Sequence, residues 1–115
     1  MTYNSGLTSA TFVPKAQTSI IEQGVFNGVY TVPANKTWRI TLMSIGARDS
    51  STTDPNIKLD DKIALCAPCT AGENAVAVSF GYDTAPLLTA GQTVKTTWSS
   101  ADYAQVSFAY IEENV

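Results

Sequence analysis

Short apolar segments that alternate with polar residues recur along the chain from residue 19 onward. The longest is Thr37–Ala47, which follows a proline turn at residues 33–36 and contains no glycine or proline before Gly46. Because side chains of a strand alternate between two faces, its predicted faces carry Trp38, Ile40 and Leu42 on one side and Arg39, Thr41, Met43 and Ile45 on the other. The second face becomes apolar toward the strand end, which predicts a central strand covered on both sides there.

Similar alternation continues to the end of the chain, interrupted by turn residues such as Asp60-Asp61 and Ala90-Gly91. Phe26, Val29, Tyr30 and Val32 are the candidates for burial in the first segment. Later segments each place one alternating set on a single face: Val76, Val78 and Phe80; Val94, Thr96 and Trp98; and Ala104, Val106, Phe108 and Tyr110. Short strands at a spacing of about 8–12 residues are typical of a sandwich. We predict an all-β fold: a single β-sandwich or jelly-roll-like domain of seven or eight short antiparallel strands, with jelly-roll and immunoglobulin-like topologies both open.

The length of 115 residues predicts one domain. A chain of this size buries about two-thirds of its unfolded surface. Residues 1–18 are rich in serine, threonine and asparagine and show little alternation, so we interpret them as a weakly structured, extended N-terminal arm. Residues 19–115 are then the β-sandwich domain.

Charged residues make up 15% of the chain, hydrophobic residues 44%, and the net charge is −3. This balance argues against intrinsic disorder, which combines high charge with low hydrophobicity. The seven basic residues do not cluster, so no nucleic-acid partner is predicted. No apolar run approaches the roughly 18 residues that cross a membrane, and the N-terminus lacks a secretory signal pattern. We therefore expect no membrane association and a protein that stays where it is made or leaves by lysis.

The chain contains no histidine, which removes the commonest general base and the Ser-His and Cys-His nucleophile systems. Carboxylate pairs are the remaining route, and the candidates are Asp60 with Asp61, Glu112 with Glu113, and Asp49 with Asp54. Neighbouring strand residues point to opposite faces, so the first two pairs do not converge easily. We interpret these carboxylates as solvated charges and predict that the protein is not an enzyme.

The two cysteines, Cys66 and Cys69, form a CxxC motif with no third cysteine and no histidine. A zinc site commonly needs four such ligands, so we predict neither a zinc site nor any cofactor. Cys66 is expected at the end of a strand and Cys69 in a loop, as free or structural thiols, with a labile disulfide as the alternative. The acidic loop at residues 49–56 lacks the spacing of an EF-hand, and irregular calcium binding there stays a minor alternative.

Aromatic residues offer a second kind of site. Trp38, Trp98 and Tyr103 could form a platform on which a sugar ring stacks. Both tryptophans, however, fall on the apolar side of an alternating strand, which favours packing in the core.

Two segments, YTVPANKTWRITLMSIGA at residues 30–47 and LLTAGQTVKTTWSSADYAQVSFAYIEE at residues 87–113, resemble small virion proteins of tailed bacteriophages. Residues 30–47 are similar to the pattern that leads into a strand of such proteins, in which a VPAGK turn precedes an aromatic residue, an arginine and a hydrophobic run. Residues 87–113, LLTAGQTVKTTWSSADYAQVSFAYIEE, are similar to the usual ending of such domains, with a Leu-x-Ala-Gly turn, a threonine-rich strand and a last alternating strand. Asn35 replaces the glycine of the pattern, and asparagine also accepts the left-handed conformation. Together the segments cover about two-fifths of the chain.

The resemblance implies a structural component of a phage particle, and most narrowly a capsid decoration or cement protein. Such a protein is made in the host cytoplasm, lies on the capsid exterior and binds the lattice of the major capsid protein, commonly as a homotrimer. The arm would order against the shell by adding a strand to an exposed sheet edge. The apolar contact points of the arm would be Tyr3, Phe12 and Val13. The subunit interface would include Phe26, Tyr82 and Tyr110.

Two alternatives remain at the level of sequence. The first is a phage tail module, such as a fibre, tip or baseplate component that recognises a host-surface glycan. The second is a free carbohydrate-binding module with Trp38 or Trp98 exposed as its platform. Binding to intact capsids favours the decoration protein, whereas a change of tryptophan fluorescence with glycan favours the sugar binders.

Overall fold

The computed structural model describes residues 16–24, 26–48, 55–67, 73–98 and 103–115. In these residues the chain forms nine strands and a 3-10 turn at Tyr82–Thr84. The strands are β1 (Thr18–Gln23), β2 (Phe26–Thr31), β3 (Lys36–Arg48), β4 (Asn56–Leu59), β5 (Lys62–Cys66), β6 (Glu73–Ser79), β7 (Leu87–Thr89), β8 (Thr93–Trp98) and β9 (Tyr103–Asn114). The all-β prediction is confirmed, with more strands than the seven or eight expected because the three-residue β7 pairs separately with β3.

The strands form two antiparallel sheets that pack face to face. Sheet A has the order β1-β9-β3-β6, with β7 beside β3, and sheet B has the order β2-β8-β4-β5. The pairs are nested along the chain: β4 lies beside β5, β3 beside β6, β2 beside β8 and β1 beside β9. A long antiparallel ribbon folded over itself in this way is a jelly roll, so the topology left open by the sequence is decided by strand pairing.

The core lies between the two inner faces. Its largest fully buried side chains include Trp98, Phe108, Ile40, Met43, Ile45 and Ile57. Trp98 lies on β8 of sheet B, and Phe108 lies on β9 of sheet A. Burial of such side chains is the main favourable contribution to folding, at about 1.5–3 kcal/mol each.

The inward side chains of β3 change from even-numbered to odd-numbered residues partway along the strand. Trp38 and Ile40 point inward, but a β-bulge against β9 between Ile40 and Leu42 shifts the alternation by one residue. Met43 is therefore buried and Leu42 is 37% exposed. The predicted face with Leu42 beside Trp38 and Ile40 was wrong, because the extra residue of a bulge reverses all later side chains. Met43 and Ile45, at the end of the predicted second face, are apolar because the bulge turns them into the core. The described residues do not cover the strand on both sides there, contrary to the prediction.

The predicted turns are confirmed by their backbone angles. Asn35 has φ of 65°, as expected for the residue that replaces glycine in the turn at residues 33–36. Asp60 and Asp61, with φ of 52° and 65°, connect β4 to β5 as a two-residue hairpin turn. Val29 was wrongly expected in the core. It is 58% exposed because the inner face of β2 carries Phe26 and Tyr30 instead.

The predicted arm falls mostly outside the described residues, and so do its contact points Tyr3, Phe12 and Val13. The first strand begins at Thr18, one residue before the predicted domain boundary. Just before it, the side chain of Gln17 contacts the hydroxyl of Thr41 on β3. No described residue belongs to a helix long and apolar enough to cross a membrane.

Candidate interaction surfaces

The middle of the outer face of sheet A carries no charged residue. The strand registers arrange twelve outward positions in three rows across β1, β9, β3 and β6. In order, the rows are Ser19, Ala109, Leu42 and Ser79; Ile21, Ser107, Ser44 and Ala77; and Gln23, Gln105, Gly46 and Ala75. Small residues dominate. Ala109 is only 4% exposed, whereas the two large apolar side chains, Ile21 and Leu42, are 61% and 37% exposed. We call this surface the sheet A face.

The sheet A face is uneven. Ser44, Gly46, Ala75, Ala77 and Gln105 line a shallow depression of about 370 Å³ at the β6 side. A Cβ atom added at Gly46 would meet no atom within 4 Å, so the glycine opens space above the strand. Ser44 and Ser107 hydrogen-bond to each other across the middle row at 2.5 Å, which fixes the floor of this region.

The outer face of sheet B differs in carrying charged residues, together with the exposed apolar side chains of Val29 and Ile63, which are 58% and 63% exposed. Lys58 on β4 lies beside Lys95 on β8, and Lys62 begins the adjacent strand β5. Lys95 Nζ lies 2.6 Å from Asp61 Oδ1, and this hydrogen bond holds the pKa of the Asp61 carboxyl below its usual value. A face with charges of both signs is typical of a solvated surface.

Aromatic and charged side chains pack against one another at one end of sheet A. The guanidinium of Arg39 lies over the ring of Tyr82, 4.4 Å from its centroid, and the Tyr82 hydroxyl donates to Glu113. Trp38 stacks on Tyr110 with ring centroids 4.1 Å apart. The indole Nε1 of Trp38 donates to Glu112 Oε2 at 2.8 Å. These contacts connect β3, β9 and the 3-10 turn, so they support the fold.

A polar network links the two sheets where β1 meets β2. The Tyr30 and Thr96 hydroxyls both donate to the Glu22 carboxylate, Thr96 at 2.6 Å. The backbone N–H of Gly28 donates to Thr96 Oγ1 at 3.1 Å. Burial, followed by the hydrogen bond to Glu22 and the negative charge of Glu22, raises the pKa of Tyr30 to about 12. The network therefore favours the neutral phenol.

Stability is expected to fall as the pH rises from about 10 to about 12, the interval between the pKa values of Tyr30 in the unfolded and folded chain. Below pH 10 both states keep the proton and the full stability is present. Above it the unfolded chain releases the proton first, which costs about 1–2 kcal/mol at this half-buried site. Urea titrations at several pH values measure the loss. Tyr30→Phe should remove most of this pH-dependent loss of stability, and Tyr110→Phe should leave it unchanged. An equal pH-dependent loss in both variants would contradict the assignment to Tyr30.

The carboxylates considered for catalysis do not form a paired site among the described residues. Asp61 binds Lys95, and Asp60 accepts a hydrogen bond from Gln92 at 3.2 Å. Glu112 and Glu113 hold different partners, as described above. Asp49 and Asp54 lie outside the described residues. No three His, Cys, Asp or Glu side chains in the described part of the chain lie close enough to hold a metal ion.

Among the described residues, the other predicted site residues are either buried in the core or half-buried. Trp38 and Trp98 are 5% and 0% exposed, which confirms their packing in the core and removes them as a sugar platform. Phe26 is also buried, at 5% exposure, and packs within the protomer. Tyr82 and Tyr110 are half-buried in the contacts described above. Participation of Phe26, Tyr82 and Tyr110 in a subunit interface stays a prediction.

Cys66 ends β5, as expected, while Cys69 lies outside the described residues. The sheet A face was missed by the reasoning from sequence. The available signal was the absence of charge at the outward positions in the middle of β3, β6 and β9, such as Ser44, Ala77 and Ser107.

No protein-family model matches this sequence, and no curated protein does. Among solved structures, the chain is similar to a cryo-EM structure of the virus-like particle of extra small virus from the giant freshwater prawn Macrobrachium rosenbergii. The similarity covers 96% of this chain and 88% of the viral chain, with 10% sequence identity and a TM-score of 0.33.

Proposed function

We propose that this protein is a structural component of a virus particle. In its narrowest form, the proposal is a capsid decoration or cement protein of a tailed bacteriophage. The protein is made in the host cytoplasm and binds the lattice of the major capsid protein on the capsid exterior. It acts by binding and not by catalysis.

The observation that carries the proposal is the position of the two segments that resemble phage virion proteins. They are distant in sequence but adjacent in the fold. The backbone N–H of Val32 donates to Gln92 and that of Gly91 donates back to Val32, at 2.9 and 3.0 Å. The N–H of Val115 donates to Asn35 at 3.0 Å, so the end of the chain joins the same turn. The two segments are thus joined in the fold by hydrogen bonds, which supports a shared architecture.

The described surface supports a role in binding. A fold alone does not define a function, so the argument depends on surface chemistry. The described carboxylates that were considered for catalysis, Asp60, Asp61, Glu112 and Glu113, are engaged in separate contacts, and the middle of the outer face of sheet A is uncharged. A surface of this kind suits contact with protein.

The proposed homotrimer is supported by the open side of the sandwich. Among described residues, β6 pairs only with β3, and its outward edge has no Lys or Pro to discourage another strand. Val76 and Val78 on its inner side are only half-buried. Contact with another copy along this edge would cover them, and repeated edge contacts around a three-fold axis close into a ring.

The tail module is the alternative function. The burial of Trp38 and Trp98 removes the platform on which its glycan contact was predicted. The experiment that separates the two functions is fractionation of purified particles into capsids and tails, followed by mass spectrometry of each fraction. We expect the protein in the capsid fraction. Its recovery with tails would support the alternative, and its absence from both would overturn the proposal of a virion protein.

A further inference from the structure

We infer that the sheet A face binds the same face of a second copy of this chain. The contact has a two-fold axis that runs across the strands along the middle row, Ile21, Ser107, Ser44 and Ala77. This inference concerns self-association and does not rest on the proposed function.

Charge favours a second copy as the occupant. The chain has a net charge of −3, so two copies repel each other over most approaches. The twelve positions of the sheet A face carry no charge, and contact there brings no like charges together. A contact through the outer face of sheet B would instead have to remove Lys58, Lys95 and Asp61 from water.

The shape of the face is complementary to itself. Leu42 projects from β3 two residues before Ser44, and Gly46 lies in the depression two residues after it. An axis through Ser44 therefore places Leu42 of each copy over Gly46 of the other. This reciprocal relation is the property that a two-fold contact requires.

Two glycines within strands, Gly28 on β2 and Gly46 on β3, support this reading by their contrast. A Cβ atom at Gly28 would lie 2.7–2.9 Å from Tyr30, Thr96 and Glu22, so the fold itself requires a glycine there. Gly46 has no such neighbour, although a glycine inside a strand weakens it. Glycine inside a strand often marks a site that a ligand or another chain approaches closely. In the proposed contact, the Leu42 side chain of the second copy makes that approach.

The size of the face sets the strength of the contact. Strand spacings of about 4.8 Å and rows about 6.7 Å apart give a footprint of roughly 400 Å² per copy. The total of roughly 800 Å² lies below the 1,200 Å² or more of stable complexes, so the contact is weak in solution.

The test is sedimentation of the full chain from about 10 μM to about 1 mM, a range suited to weak association. We expect the mass to rise reversibly by a factor of two over the species present at low concentration. Ser44→Arg places like charges together on the axis and should weaken association at least about tenfold. Thr97→Arg on sheet B adds the same charge and should have no effect. Ala77→Arg, also on the axis, repeats the test at an exposed position.

The register is tested by exchanging the projecting and recessed residues. Leu42→Gly and Gly46→Leu should each weaken association, and the double variant should restore it to within about threefold, because each copy again offers one of each. Circular dichroism verifies that the variants are folded.

A wild-type chain that shows no rise in mass by 1 mM would overturn the inference and leave the face to another partner or to residues 1–15. Equal effects of Ser44→Arg and Thr97→Arg would also overturn it. Because all readouts are in solution, presence in capsids is judged separately.

Discussion

Replacing Trp98 with alanine is expected to have the largest effect of any single change considered for this chain. Trp98 is fully buried on β8, a central strand of sheet B, and lies beside Phe26 in the strand register. Loss of a buried tryptophan side chain leaves a cavity and costs about 3–5 kcal/mol. Domains have a total stability of about 5–15 kcal/mol, so the variant should lose much of its stability or fail to fold.

Urea unfolding monitored by circular dichroism measures this loss. Thr97→Ala is the matched control, because it changes the neighbouring residue on the outward side of the same strand. We expect a change within about 0.5 kcal/mol for the control. A cost below about 1 kcal/mol for Trp98→Ala would mean that this tryptophan does not fill the core.

Gly28→Ala is expected to have the second largest effect, about 2–3 kcal/mol, by overpacking. The added Cβ would lie within 2.9 Å of Tyr30, Thr96 and Glu22 at once. Each of these side chains could move alone. They are tied together by the hydrogen bonds to Glu22, so a shift of one disturbs the connection between the two sheets.

Gly46→Ala is the matched control for this prediction. Its Cβ enters open space, and alanine restricts the unfolded chain, so the isolated domain should become about 0.4–1 kcal/mol more stable. Thermal unfolding of both variants at low protein concentration gives the comparison. Equal destabilisation of the two variants would contradict the different environments assigned to the glycines.

Local features of this fold could be predicted from sequence because they depend on adjacent residues. The alternation of Val94, Thr96 and Trp98 identified the buried face of β8, and Asp60-Asp61 identified the hairpin turn. Both follow from backbone geometry over a few residues. The long strand β3 was found for the same reason.

The side on which residues of β3 lie could not be predicted beyond Ile40. The bulge there depends on pairing with β9, which lies about 70 residues later in the chain. The prediction therefore continued the alternation of β3 side chains past Ile40, although the pairing with β9 contains an extra residue there. The consequence is large, since the bulge moves Leu42 to the surface and Met43 to the core.

Strand order and the candidate surface depend on the same distant pairings. Thr18 pairs with Tyr110, and such partners cannot be read from local patterning. Ser44, Ser107 and Ala77 are unremarkable in sequence, and only the registers of β3, β9 and β6 place them in one row. The aromatic residues proposed for a subunit interface were chosen by type alone, which does not distinguish Phe26 in the core from Tyr82 at the margin.

The most direct measurement of the central proposal is the ratio of this protein to the major capsid protein in capsids purified free of tails. A lattice component occupies repeated equivalent sites, so we expect many copies per capsid and a fixed ratio in independent preparations. Quantitative mass spectrometry with labelled reference peptides gives this ratio. Absence of the protein from purified capsids, or a trace that varies from one preparation to the next, would contradict the proposal.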